Sequence, residues 1–328
     1  MPWDVIGHAG AAELLRRDLA AGRLAHAYLF TGAEGIGKRT LALDLARAIN
    51  CSAPTAPGQP CGECRECRLI AAGRHPDLFL LQPQGTGARI SIDAARELIQ
   101  SVILKPIEAR RRIALILDFH RALPGAASAL LKTIEEPPPS AVLLITAESA
   151  DELLPTIVSR CRVVPLRPIA EADVARALRE RWRLDPQRAA LLARLSGGRL
   201  GWAVEQARLA DWAAERAERF EEWRRLIRGN RGFRFALAQK MAAGRDELRE
   251  TLQIWQSFAH DLLLRTQSDS AEIANVDFQP SLDELAARIP PEGARRWLAA
   301  LRRAEEQIDR NANVRLALEA AFLDAPAA

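Results

Sequence analysis

Short apolar segments alternate with helix-like segments over the first half of the chain. The apolar segments are strand-sized and hydrophobic throughout, as in parallel strands that are covered on both faces. The predicted strands are 27–30, 78–81, 113–117, 142–146 and, more weakly, 163–166; the predicted helices are 11–19, 40–49, 92–103, which Ser91 caps, and 126–136. The pattern predicts an α/β fold with a parallel sheet.

Past residue 166 the strand pattern stops and helical periodicity continues to the end. We expect three domains, with boundaries at 1–166, 167–210 and 211–328. The second contains three short predicted helices, and the third contains longer ones. Six of the seven tryptophans follow residue 180, and core packing is favoured over a subunit interface as their role. The short helices are predicted at 171–182, 186–195 and 199–210, and loops are expected near Gly229, Gly244 and 275–281.

Composition adds only a weak charge signal. The 328 residues include 46 basic and 42 acidic side chains, which gives a net charge of +4 and a pI near 9.0. This balance is compatible with a nucleic-acid partner, although most of the charge belongs to a solvated surface. The sequence carries no recognisable membrane span or secretory signal, so we expect a cytoplasmic protein.

A glycine-rich loop separates the first predicted strand from the helix at 40–49. Gly32, Gly35 and Gly37 allow tight turns that direct backbone N–H groups toward phosphate oxygens. Lys38 supplies a cation for the terminal phosphates, and the start of a helix favours an anion. The sequence therefore predicts a phosphate-binding loop.

Other parts of a nucleotide-hydrolysing site are incomplete. Magnesium requires Ser or Thr after the lysine, but Arg39 stands there and Thr40 comes one position late. A carboxylate pair should follow a later strand. If Asp118 is the magnesium residue, Phe119 replaces the catalytic base; if Asp118 replaces the base, Leu117 replaces the magnesium residue. The pair is incomplete in either alignment.

Two further polar residues follow predicted strands or helices. Thr146 ends the fourth strand, where a small hydroxyl could contact a γ-phosphate, although threonine is also common in turns. Arg160, within Ser159-Arg160-Cys161, follows a helix-like segment at 152–158. It is either an ordinary surface cation or a finger that reaches a neighbouring subunit's phosphates, where such an arginine raises hydrolysis by roughly 10³–10⁵-fold.

Four of the five cysteines cluster between the first helix of the fold and the second strand. They form a C-x9-C-x2-C-x2-C pattern that satisfies a tetrahedral zinc and leaves no position for water or substrate. We therefore predict a structural zinc, and disulfides are an alternative that a reducing cytoplasm disfavours. His75 is a further candidate ligand, but a role in fixing the turn at 75–77 is favoured. The cysteines are Cys51, Cys61, Cys64 and Cys67.

Together these segments resemble one family, the delta-prime subunit of the bacterial DNA polymerase III clamp loader, a member of the AAA+ group. The first 165 residues carry the specific motifs, and the rest matches in length and helical character. The resemblance rests on residues 24–30 before the glycine loop, the four cysteines with 75–77, the run 129–138, Ser159-Arg160-Cys161 and the run 311–319.

This resemblance implies a function and a set of partners. A delta-prime subunit is the stator of a five-subunit ring that opens the sliding clamp and loads it onto primed DNA, as part of the DNA polymerase III holoenzyme, and it does not hydrolyse ATP. Arg160 would be the finger presented to the ATP site of an adjacent gamma or tau motor subunit. The cysteines would bind zinc, 167–210 would be a lid domain, and 211–328 would join the collar of a ring that also contains delta.

Gamma and tau share the cysteine module and the Ser-Arg-Cys motif, so the departures decide between the two types. Motor subunits carry threonine after the loop lysine, an Asp-Glu pair on the strand and an arginine early in the third lid helix. This chain has Arg39, the incomplete pair at Asp118, and Gly201. These losses favour delta-prime. Arg199 could substitute for the missing arginine in a shifted register, and the retained Lys38 leaves weak nucleotide binding open.

Two other functions stay open. An active phosphate-loop ATPase would use Thr40 to hold magnesium and another residue as the base. A zinc-dependent nucleic-acid-binding protein would recognise its target through the cysteine loop, although only Arg65 and Arg68 are basic residues close to the cysteines.

Overall fold

The computed structural model describes residues 3–84, 88–310 and 312–326, with the backbone alone at 245 and 246. Asn311, the first residue of the motif at 311–319, lies outside the described residues. The chain divides into two compact units, Met1–Ala189 with Ser196–Glu205 and Ala190–Leu195 with Gln206–Ala328. The three-domain boundaries stay a prediction.

The first unit contains a five-stranded parallel sheet in the order β2-β3-β4-β1-β5. Strand β1 lies between β4 and β5, with Phe30 opposite both Thr146 and Val164. The predicted α/β fold is confirmed, and each predicted strand is present to within a residue at either end. The strands are β1 (Ala27–Thr31), β2 (Leu78–Leu81), β3 (Arg112–Ile116), β4 (Ala141–Ala147) and β5 (Arg162–Pro165).

Helices cover both faces of the sheet, because side chains along each strand alternate between two buried clusters. On β3, Ile113 and Leu115 join one cluster, whereas Ala114 and Ile116 join the other. This two-sided burial explains why the strands are apolar throughout. The helices are α1 (Ala9–Ala20), α2 (Lys38–Asn50), α3 (Arg65–Ala71), α4 (Ile92–Ile103), α5 (Pro124–Glu135), α6 (Pro155–Val158) and α7 (Glu171–Trp182), with a 3-10 turn at Phe119–Arg121.

Local sequence explains where several of these helices begin. The Ser91 hydroxyl accepts a hydrogen bond from the Ala94 N–H at 3.2 Å, as expected of the cap of α4. The helix predicted at 152–158 is wrong at its start, because α6 begins only at Pro155, a residue that suits the first helical turn. Helix α3, inside the cysteine loop, was not predicted, since seven residues are too few to show a period.

Helices α8 (Pro186–Ser196) and α9 (Leu200–Arg208) are separated by Gly197 and Gly198, which have φ of +55° and +82°. The first residues of α9 belong to the first unit, and its last residues belong to the second.

The second unit is helical in its described residues. Trp223, Trp255 and Trp297 are fully buried in its core, so these tryptophans pack between helices. The loop expected at 275–281 is partly wrong, because Gln279 already begins a helix with proline in its first turn. No helix among the described residues is long and apolar enough to cross a membrane. The helices are α10 (Trp212–Arg228), α11 (Arg231–Ala243), α12 (Arg245–Gln267), α13 (Gln279–Ala286), α14 (Pro291–Asp309) and α15 (Val314–Leu323), with a 3-10 turn at Val276–Phe278.

Candidate functional site

The glycine loop connects β1 to α2, and its backbone needs its glycines. Gly32, Gly35 and Gly37 have φ of +141°, +75° and +116°, a region that favours glycine. Lys38 is buried, and its ammonium donates to the carbonyl oxygens of Gly32 and Ala33, the second at 3.0 Å. The loop has the form of a phosphate cradle, but its lysine is bonded to the loop itself.

Acidic side chains face this lysine. Burial lowers the pKa of Lys38, and nearby carboxylates oppose that shift. Any phosphate bound in the loop would share the site with these negative charges, and Arg199 and Arg121 contribute positive charge beside Glu34. The carboxylates belong to Asp118, Glu148, Glu34 and Glu152.

The residues after the lysine differ from those of an active loop in chemistry and in direction. Arg39 and Thr40 are both exposed, and successive side chains on an α-helix differ in direction by about 100°. The Thr40 hydroxyl therefore points in a different direction from a hydroxyl at position 39.

The end of β3 distinguishes between the two alignments of the carboxylate pair. Leu117 is buried in the same cluster as Ile36 of the glycine loop and Leu41 of α2. This is the sheet face on which a magnesium ligand would have to lie. The geometry favours the alignment in which Leu117 occupies the magnesium position and Asp118 the position of the base.

Thr146 is buried on β4, beside the end of β3. Its hydroxyl oxygen accepts a hydrogen bond of 2.8 Å from the Asp118 backbone N–H. Asp118 has a left-handed φ of +49°, so this bond holds the turn that follows β3. A contact between Thr146 and a γ-phosphate stays a prediction.

The beginning of α9 lies directly on the glycine loop. The Gly201 N–H donates to the Gly35 carbonyl oxygen at 2.7 Å. A Cβ on Gly201 would lie 2.7 Å from that same oxygen, and a Cβ on Gly35 would lie 2.7 Å from the Trp202 backbone nitrogen. Two glycines are therefore needed for this close approach of two backbones.

Arg199, the alternative sensor arginine, lies just before α9. Its Nε donates to the Ser196 carbonyl oxygen at 2.8 Å. Burial lowers the pKa of the Arg199 guanidinium, whereas the charges of Glu34 and Glu148 work to raise it. The side chain thus faces the acidic groups around the glycine loop.

Arg160 lies in the turn between α6 and β5. Its Nη1 donates to the Thr156 carbonyl oxygen at 2.9 Å and to the Ser159 hydroxyl at 3.3 Å. Its Nη2 lies 3.1 Å from Oε1 of Glu135, at the end of α5, and the Arg160 side chain is 40% exposed. Part of the guanidinium remains open to an incoming anion, and its role as a finger stays a prediction.

The four predicted cysteines are brought together at the far end of α2, where Cys51 caps the helix. The Cys51 sulfur lies 3.6 Å from that of Cys61 and 3.9 Å from that of Cys64, and all four sulfurs lie within 4.8 Å of one another. A tetrahedral zinc with bonds of about 2.3 Å spaces its sulfurs about 3.8 Å apart. Cys67 completes the cluster, and the four cysteines together could hold a metal ion.

Backbone N–H groups support negative charge on these sulfurs. The N–H groups of Cys61 and Cys64 donate to the sulfurs of Cys51 and Cys61, each at 3.2 Å, and that of Cys67 donates to Cys64 at 3.4 Å. Burial raises the pKa of the Cys51 and Cys67 thiols. Burial also acts on Cys64, but hydrogen bonds from Cys67 and Ser52 lower the pKa of its thiol to about 7. The donor set suits a thiolate-binding metal.

His75 has a structural role in the turn that follows α3. Its Nδ1 accepts a hydrogen bond of 3.0 Å from the Asp77 N–H, and the metal-capable group found in the described residues consists of the four cysteines without it. Asp77 is fully buried and accepts three backbone hydrogen bonds. Burial works to raise the pKa of this carboxyl, but the N–H donors hold it below its ordinary value. The donors are Ile107, Glu108 and Ala109, at 2.8 to 2.9 Å.

Sequence reasoning missed two contacts of the candidate site. Glu135 lies within the run 129–138, and its partner Arg160 lies 25 positions away. Gly201 stands where motor subunits would carry an arginine, and the structure makes it a packing partner of Gly35. Neither contact has a local sequence signal, because each depends on how distant segments meet.

The sheet order and the loop together define a class of protein. A parallel sheet in the order β2-β3-β4-β1-β5, with a glycine loop and lysine joining β1 to α2, identifies an AAA+-type phosphate-loop fold. A family model described as DNA polymerase III, delta subunit, matches residues 7–170. The chain belongs to the delta-prime family of DNA polymerase III subunits.

Two relatives carry the name delta', and a third is a tau/gamma subunit. The chain is 30% identical over 319 residues to DNA polymerase III subunit delta' of Bacillus subtilis (strain 168), covering 94% of this chain and 92% of the relative. It is 44% identical over 137 residues to the subunit delta' of Pseudomonas aeruginosa, covering 42% of each chain. It is also 34% identical over 175 residues to the subunit tau/gamma of Haemophilus influenzae, covering 53% of this chain and 25% of the relative.

Proposed function

We propose that this chain is a stator subunit of the DNA polymerase III clamp loader, which helps to open the sliding clamp and load it onto primed DNA without hydrolysing ATP. The observation that carries this proposal is the contact between Gly201 and Gly35, since the position where motor subunits carry an arginine packs against the glycine loop. The losses at Arg39 and Leu117 support it. Similarity to subunits named delta' and tau/gamma supports the clamp-loader setting.

The expected partners are the gamma or tau motor subunits and delta in a five-subunit ring in the bacterial cytoplasm, together with the sliding clamp and primed DNA. In this ring, residues 167–210 form the lid domain and residues 211–328 join the collar. The loop residues Gly32 to Thr40, with Asp118 and Thr146, then form a scaffold that takes no part in catalysis.

Arg160 is the residue that acts on ATP in this proposal, at the site of a neighbouring motor subunit. Its exposed turn and partly free guanidinium support that role, since an arginine donor stabilises charge on a transferred phosphoryl group. Arg160→Ala should leave the isolated chain folded and able to join the ring. It should lower the DNA-stimulated ATPase rate of the reconstituted ring by at least about 10-fold. The upper reference is the roughly 10³-fold that such an arginine can supply at a single site.

A matched control for this substitution is Arg167→Ala. Arg167 is also exposed and has no ion-pair partner among the residues that the structure describes. The control ring should hydrolyse ATP at the normal rate. The role of Arg160 as a finger would be refuted if the ring carrying Arg160→Ala hydrolysed ATP and loaded clamps as fast as the wild-type ring.

We also propose that the ion held by Cys51, Cys61, Cys64 and Cys67 is a structural zinc. Sulfur spacings near those of tetrahedral zinc and the N–H donors to the sulfurs support this assignment. Metal analysis of the purified chain should give one zinc per molecule, and a different metal or none would contradict the proposal.

A further inference from the structure

Arg160 is held from two sides by different parts of the chain. Its own helical turn contributes the Thr156 carbonyl oxygen and the Ser159 hydroxyl, which both accept from Nη1. The other side is Glu135, the last residue of α5, whose carboxylate lies 3.1 Å from Nη2. Two sequence motifs separated by 25 positions therefore meet at one guanidinium.

The two contacts fix different nitrogens of a planar group. An arginine side chain is long and flexible, and its guanidinium gains a defined orientation only when donors on both nitrogens have partners in its plane. With partners on Nη1 alone, the side chain could pivot about the hydrogen bonds at that nitrogen. The Glu135 contact removes that freedom, while the 40% exposure of Arg160 leaves N–H groups available.

The contact is specific to one of two adjacent carboxylates. Glu136 follows Glu135 directly, is exposed, and its carboxylate has no hydrogen-bond or ion-pair partner among the described residues. The Glu135 side chain is 39% exposed, and an ion pair this exposed contributes little to folding stability. The ion pair is therefore better explained by its effect on the orientation of the Arg160 guanidinium than by a contribution to folding stability.

We infer that Glu135 is a positioning residue for Arg160, which orients the guanidinium toward the phosphates of a neighbouring subunit. This inference rests on the proposed finger function of Arg160. Glu135 does not touch the nucleotide in this view. Its negative charge adds nothing to phosphate attraction, so its removal should affect the rate of the chemical step rather than the binding of ATP.

The test uses the ring reconstituted from full-length subunits, with DNA-stimulated kcat and KM for ATP measured separately. Glu135→Ala should lower kcat by about 10-fold, since small misplacement of a catalytic group can cost up to about 100-fold, and should leave KM and ring assembly unchanged. Glu135→Gln should recover much of the loss, because its amide oxygen still accepts from Nη2. Glu136→Ala, the matched control, should behave as wild type.

A double variant separates this inference from the finger itself. In the Arg160→Ala ring, adding Glu135→Ala should change kcat no further, because there is no guanidinium left to position. Normal kcat for Glu135→Ala, beside a reduced kcat for Arg160→Ala, would overturn the positioning role and leave the finger intact. Normal kcat for Arg160→Ala would overturn both.

Two other results would also overturn the positioning role. A higher kcat for Glu135→Ala would mean that the carboxylate restrains the arginine. An equal loss from Glu135→Ala in the wild-type and Arg160→Ala backgrounds would mean that Glu135 acts through some other residue.

Discussion

Helix α2 has a candidate site at each of its ends, and the two sites differ in completeness. At its first turn, the glycine loop retains its backbone and Lys38, but neither Arg39 nor the buried Leu117 offers a side-chain oxygen ligand for magnesium. At its other end, Cys51 joins three other cysteines, and the four sulfurs lie close enough together to hold a metal ion. The glycine end has the backbone of a phosphate-binding loop but lacks magnesium ligands, whereas the cysteine end has four sulfur ligands.

The difference shows how each end is held. Under the proposed zinc assignment, a metal ion binds the four sulfurs together, so the cysteine end depends on something outside the chain. The glycine end is held by the chain itself, through the Gly201 hydrogen bond to Gly35 and the two carbonyl contacts of Lys38. Each end can therefore be perturbed separately.

Removing the metal should have the largest effect. Cys67→Ser, or stripping the wild type with a chelator, should destabilise the first unit by on the order of 5 kcal/mol, less than the roughly 10–16 kcal/mol that zinc provides in zinc-finger peptides, because the sheet still packs without it. Thermal unfolding with parallel metal analysis measures this effect.

Cys161→Ala is the control for that experiment. Cys161 lies outside the metal-capable group, and burial raises the pKa of its thiol to about 11, so it stays a neutral thiol at pH 7. This variant should keep its metal and nearly all of its stability. Equal melting temperatures for metal-free and metal-loaded protein would show that the cluster is not structural.

At the glycine end, Gly201→Ala should have a smaller effect. A methyl group normally favours a helix by about 0.5–1 kcal/mol over glycine, but here its carbon would lie 2.7 Å from the Gly35 carbonyl oxygen. Because the backbone must shift, we expect a net loss of about 1–3 kcal/mol in the free energy of unfolding. Urea unfolding of the full chain provides the measurement.

Gly10→Ala is the matched helical substitution, since a Cβ on Gly10 would meet nothing within 4 Å. It should be neutral or slightly stabilising. If Gly201→Ala is as stable as Gly10→Ala, the contact between α9 and the loop does not hold the glycine end together.

The sequence pattern was sufficient to predict the strands, the glycine loop and the four cysteines, because each has a local signal. Apolar runs indicate buried parallel strands, and a C-x2-C spacing indicates a metal site without knowledge of the fold. Helix α3 and the late start of α6 were missed because short helices have no measurable period. The choice between the two alignments of Leu117 and Asp118 required knowledge of which side chains after β3 face the glycine loop.

Contacts between distant segments could not be predicted from the sequence pattern. The pair of Glu135 with Arg160 depends on how α5 packs near the turn after α6, and the pair of Gly35 with Gly201 depends on where α9 begins. In the sequence, Glu135 looks like any exposed acidic residue, and Gly201 looks like any glycine in a helix. The sequence alone shows at Gly201 only the absence of an arginine, and the structure shows its contact with Gly35.

Restoring one missing ligand at the glycine end should have the smallest effect. Arg39→Thr places a hydroxyl after Lys38, as an active loop has, but Leu117 still provides no carboxylate and Gly201 still lies against the loop. Stability should change by less than about 0.5 kcal/mol, because Arg39 is exposed, and the isolated chain should not hydrolyse ATP with or without primed DNA. Turnover that appears with Arg39→Thr and disappears when Lys38→Ala is added would mean that the glycine end is one substitution from activity, and the contrast between the two ends of α2 would then be one of degree.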